Sequence, residues 1–113
     1  MTAIIDELSV LQRIGNDKQL YLRLLEHFSM NNYIDDITLA LKGGSGKEIF
    51  AAAHNLKGSA ATLGFPLLFD CAAHICELTL NNVIFNTDSP EIKELNNAMD
   101  KTLYEIRSKL NSQ

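Results

Sequence analysis

The chain has 113 residues, 46% of them apolar, which suits a single domain spanning 1–113 around one core. Its 10 Lys and Arg against 14 Asp and Glu leave a net charge of −4 and no basic stripe, which argues against nucleic acid as a partner. Two cysteines are too few for a disulfide framework, and MTAIIDELSV carries acids where a signal peptide needs bases. No apolar run nears the ~20 residues of a membrane span, so a cytoplasmic chain without membrane insertion is expected.

Sustained two-residue alternation is missing, and helical periodicity appears in successive blocks. Ile4, Ile5, Leu8 and Leu11 predict a short first helix that stops near Gly15. Asn16 and Asp17 can cap the next, which carries Leu20, Leu24, Leu25 and Phe28. Asn31 and Asn32 interrupt the pattern before Ile34, Ile37 and Leu41 continue it. GGSG, residues 43–46, reads as a loop. A helix over 47–63 follows, with Gly64 suited to the left-handed position after it. Pro66 opens a helix over 66–80 that is apolar on two sides and polar only along Asp70, His74 and Glu77. Residues 81–88 form a polar loop. Ser89-Pro90-Glu91 then starts a final helix with a cap, a first-turn proline and an acid at the positive dipole end. Its stripe is Ile92, Leu95, Met99, Leu103, Ile106 and Leu110. Short loops between amphipathic helices favour antiparallel neighbours. The expected fold is all-α: an antiparallel up-and-down four-helix bundle with a short extra N-terminal helix.

On a wheel of about 100° per residue, Ile49, Ala53, Leu56, Ala60 and Leu63 fall in one narrow sector, the core face. His54 lies about 140° from the centre of that sector, so it points away from the core. Around it lie Lys47, Phe50, Ala51, Lys57, Gly58 and Ala61. A solvated helix face ordinarily carries Glu, Gln, Lys and Arg. This one is small or apolar with two lysines, a surface suited to docking by another protein. A lone exposed histidine is ordinarily just a surface residue. The glycine inside the helix sets this one apart, because it costs about 1 kcal/mol relative to alanine. Beside His54 it leaves the ring open to close approach. Lys57 lies on the same side at i+3 and can balance negative charge arriving on the imidazole. A neutral imidazole is a competent nucleophile near neutral pH. Histidine, lysine and open access together point to an N-phosphorylated histidine. No nucleotide cradle or Mg²⁺-binding carboxylate cluster accompanies it in the sequence, so the helix could hold a phosphoryl group without drawing one from ATP.

AHNLKGSAATLG, residues 53–64, resembles the signature of histidine-containing phosphotransfer (HPt) domains, with His54, Lys57, Gly58, Ser59, Leu63 and Gly64 matching in place. RIGNDKQLYLRLLEHF before it and LLFDCAAHICEL after it resemble the flanking helices of that family. The resemblance implies a four-helix bundle that accepts a phosphoryl group on His54. The donor would be a receiver-domain phosphoaspartate, or a kinase such as a hybrid sensor histidine kinase. The group then passes to an aspartate of a response regulator. Lys57 would balance phosphate charge, Gly58 would give access, and Lys47, Phe50, Ala51 and Ala61 would form the docking rim. The resemblance implies no cofactor for the chain itself, with Mg²⁺ held by the partner receiver. The chain would be a monomeric phosphoryl carrier without kinase activity. Many members place a glutamine on the neighbouring helix to hydrogen-bond the imidazole. The matching position here is Cys76, a poor donor and acceptor.

Other motifs weigh less. GGSGK lacks the earlier glycine of a phosphate-binding loop, where Leu41 stands, and has Glu48 after the lysine. Cys71, His74 and Cys76 scatter around one helix and cannot converge on a metal without a partner element. His27 caps or solvates the end of its helix. The competing function is a helical interaction module that binds receivers or other partners without being phosphorylated.

Overall fold

A computed structural model describes residues 4–112, and most helix starts in it have a local cause. Helix α1, Glu7–Arg13, begins where an Asp6 carboxylate oxygen accepts from the Ser9 amide at 3.2 Å. Helix α2, Lys18–Ser29, begins at Asp17, whose carboxylate accepts from the Leu20 amide at 3.0 Å. Of the two expected caps, Asp17 does the work; Asn16 takes φ +60° in the turn before it. Helix α3, Tyr33–Gly43, follows the Asn31–Asn32 break, and α4, Gly46–Leu63, starts at Ser45. The expected four-residue glycine loop is therefore only Gly44 and Ser45. Gly44 closes α3 in the left-handed conformation, while Ser45 accepts from the Glu48 amide, drawing Gly43 and Gly46 into the helices on either side. Helix α5 is Pro66–Leu80 and α6 is Pro90–Asn111, both with proline in the first turn. At Ser89 the expected side-chain cap is not made. Its hydroxyl accepts from the Asn86 amide at 2.9 Å inside the preceding turn.

Helices α4, α5 and α6 pack in sequence, α3 lies on α4, and α2 lies on α6. The broken pair α2–α3 thus closes the fourth side of an all-helical bundle, with α1 as the short extra helix against α2 and α4. The core sector expected for α4 is the observed one: Ile49, Ala53, Leu56, Ala60 and Leu63 are its buried residues. They meet Leu68, Ala72, Ile75 and Cys76 of α5. On the far side the core takes Leu95, Met99 and Ile106 of α6 and Tyr21, Leu25 and Phe28 of α2. Phe28 stacks on Tyr33 at 4.9 Å between centroids and meets Phe65 edge-on at 4.8 Å, welding the α2–α3 break to the α4–α5 turn.

Three apolar expectations change. Ile4 and Ile5 precede α1, and Leu8 is 68% exposed, because Val10 is the residue of α1 that turns inward. Leu80, the last residue of the helix expected over 66–80 to be apolar on two sides, is 71% exposed. The 81–88 loop is not uniformly polar: Phe85 is buried in the core. Thr102 enters the α6 stripe because its hydroxyl donates to the Ala98 carbonyl at 2.8 Å, which removes the cost of burying it.

The end of α4 is fixed by α1. Arg13 Nη2 donates to the Thr62 carbonyl at 2.8 Å, placing a cation on the negative end of the helix dipole. The Asp6 amide donates to the Gly64 carbonyl at 2.7 Å. Gly64 has φ +74°, and a Cβ there would lie 2.7 Å from Val10 Cγ2 and 2.8 Å from the Asp6 carbonyl oxygen. Gly44, at φ +72°, has open space around it. Gly44→Ala should therefore lose about 1 kcal/mol, the left-handed strain alone, while Gly64→Ala should lose at least about 2 kcal/mol. Urea unfolding of the two variants measures the difference. Burial, reinforced by Glu7 and Asp6, pushes the Tyr21 phenol well above its ordinary range. The folded chain keeps a proton that the unfolded chain releases, so stability is full below about pH 10 and falls above it. Unfolding midpoints followed through that range should show the fall, and Tyr21→Phe should flatten it.

Candidate functional site

With the core stripe of α4 buried, its opposite face carries His54, exposed, together with exposed Lys47, Ala51, Gly58 and Ala61. Phe50 and Lys57 are half-buried on the flank of α4 that faces α5. The imidazole makes no hydrogen bond to any described residue. Its ring instead stacks on Phe50, one turn earlier, with centroids 5.6 Å apart and planes 12° from parallel. Lys57 has no carboxylate partner among the described residues. Its ammonium, three residues on from His54, is without a counter-charge there.

Cys76 is buried, and its thiol lies 4.0 Å from the Phe50 carbonyl oxygen, with no hydrogen bond to the imidazole. Burial pushes the thiol above its ordinary range, opposed by the nearby Lys57 charge. Such a thiol is neutral, weakly polar packing under the Phe50 backbone. Cys71 sits on another part of α5, its thiol 3.9 Å from the Glu94 carbonyl. Among the described residues no cluster of three His, Cys, Asp or Glu is placed to hold a metal.

Gly58 is exposed in the middle of α4, and a Cβ built on it meets nothing within 4 Å. Nothing inside the chain requires glycine there. A side chain there would point into open space. The motif serine, Ser59, turns toward α3: its hydroxyl lies 2.8 Å from the Tyr33 hydroxyl and ties α4 to the start of α3.

Between α4 and the α2–α3 pair runs an open groove of about 560 Å³. His54, Gly58 and Ser59 form one wall, and His27, Phe28 and Tyr33 belong to the other. His27, expected only to cap or solvate its helix, therefore shares a groove with His54. Its spacing from Leu24 and Phe28 puts the three on one side of α2, but only the packing of α2 against α4 shows which surface that side meets. Ala61 lies beyond the groove and lines a second hollow of about 410 Å³ with Arg13 and Phe69. The expected docking rim thus divides: Ala51 lies on the exposed face one turn from His54, Lys47 and Ala61 lie two turns before and after it, and Phe50 supports the ring.

The Hpt domain family model matches residues 23–108. Among solved structures, the chain is similar to the HPT domain of an Hpt sensor hybrid histidine kinase from Shewanella. The TM-score is 0.80 at 19% identity, over 97% of this chain and 96% of that one, a likeness of fold. No curated protein matches the chain significantly.

If the glycine serves an outside partner, the isolated domain should gain from losing it. Gly58→Ala should raise the unfolding free energy by about 0.5–1 kcal/mol in urea, through helix propensity and the stiffer unfolded chain. A loss of stability would show that glycine is needed within the fold.

Proposed function

Because the chain belongs to the Hpt domain family, whose members carry phosphoryl groups in two-component signalling, we propose that His54 is its phosphoacceptor. The observation that carries this reading is the face itself: an exposed imidazole beside a glycine that the fold does not need. A receiver-domain phosphoaspartate, or a hybrid sensor histidine kinase, is the donor, and an aspartate of a response regulator takes the group onward. In the accepting step an imidazole nitrogen lone pair attacks phosphorus. The N–P bond forms as the aspartyl O–P bond breaks, and the carboxylate departs with the electron pair.

Such a transfer depends on alignment and on charge stabilisation more than on covalent help from the protein. His54 supplies the nucleophile at the surface, where a partner's acyl phosphate can meet it in line. Lys57, three residues on, balances the phosphoryl oxygens before and after transfer. Gly58 leaves the approach free of a side chain. Mg²⁺ and the remaining stabilisation come from the receiver, and the chain acts as a carrier with no ATP-dependent step of its own. Docking falls to the exposed face around His54, including Lys47 and Ala51, and to the groove shared with His27.

Incubation with a phosphorylated receiver should label the chain, and the label should be acid-labile and alkali-stable, as phosphohistidine is. His54→Gln should take up none. Gly58→Glu should slow transfer at least about tenfold, by crowding and by like charge, while the helical circular dichroism is unchanged. Equal labelling of His54→Gln would place the phosphoryl group elsewhere, and a wild type that no receiver labels would favour a module that only binds.

A further inference from the structure

A nucleophile that must meet phosphorus in line needs a fixed direction, and the imidazole of His54 has no hydrogen bond from the described residues to give it one. Packing is what remains, and Phe50 provides it. Helical side chains lean toward the N-terminus, so a residue at i+4 is carried over the one a turn earlier. Phe50 is a firm base because it is half-buried and packs against the core cluster. The two rings lie 12° from parallel at 5.6 Å, an offset stack. We propose that Phe50 is the positioning residue for His54, fixing the plane of its ring by stacking.

The chemistry suits this division of labour. The lone pair of an imidazole nitrogen lies in the ring plane, so reaction takes place at the ring edge. A stack covers a face and leaves both nitrogens free, whereas a hydrogen bond occupies one of them. Phe50 at i−4 and Lys57 at i+3 then flank the ring, one fixing its plane and the other supplying charge, with Gly58 leaving the third side open.

The inference rests on His54 being the phosphoacceptor, and its test separates the two. Wild type, Phe50→Leu, Phe50→Ala and Phe50→Tyr are labelled by a phosphorylated receiver over a range of concentrations. They are also labelled by phosphoramidate, a donor too small to dock; there the imidazole nitrogen displaces ammonia as the P–N bond breaks. Phe50→Leu and Phe50→Ala should lower the maximal rate about three- to tenfold with both donors. The half-saturating receiver concentration should change less than about twofold, and Phe50→Tyr should keep the wild-type rate. In proton NMR spectra the His54 ring resonances should carry an upfield ring-current shift in wild type and Phe50→Tyr that the leucine and alanine variants lose. Wild-type rates in Phe50→Leu overturn the proposal, and so does an effect on half-saturation alone, which marks a docking residue. A wild type that neither donor labels overturns the phosphoacceptor reading instead, while the ring-current shift still reports whether the stack exists.

Discussion

The site depends on the burial of one stripe. Once Ile49, Ala53, Leu56, Ala60 and Leu63 are inside, the pitch of an α-helix leaves His54 no direction but outward. Two of the five are alanines, and both are fully or almost fully buried, so α4 and α5 can lie close without a gap. Everything else follows from that registration. Phe50 falls on the border between core and solvent, Lys57 on the same flank, and Gly58 on the open side. The geometry around the imidazole is a by-product of how one helix is packed.

That is also why so much could be read from the sequence. A helical stripe has a period, and the period fixed both the buried face of α4 and the outward direction of His54 before any tertiary contact was known. Helix ends were legible for a similar reason. Asp17, Gly64, Pro66 and Pro90 act within a few residues of themselves, through a hydrogen bond or a fixed dihedral angle.

What escaped the sequence involves distance along the chain. Leu8 and Leu80 are apolar residues at helix positions, but their exposure depends on which face or end of the helix its neighbours cover. Phe85 looked like part of a polar loop and packs inside, since one aromatic can reach a core from a loop that passes over it. His27 joins the face of His54 only because α2 runs beside α4. The stack of His54 on Phe50 is a local i−4 contact and could have been anticipated.

The bond between Tyr33 and Ser59 has a consequence for timing. It joins the two walls of the groove beside the imidazole, and the Phe28, Tyr33 and Phe65 rings lock the same corner. Walls fastened in this way are braced against one another, so a protein docking there as proposed would meet a surface already in shape. It would spend little of its binding energy on ordering that surface, and contact would not need to be long. For the proposed transfer, such bracing would favour brief encounters, in which a partner arrives and leaves without waiting for the helices to move.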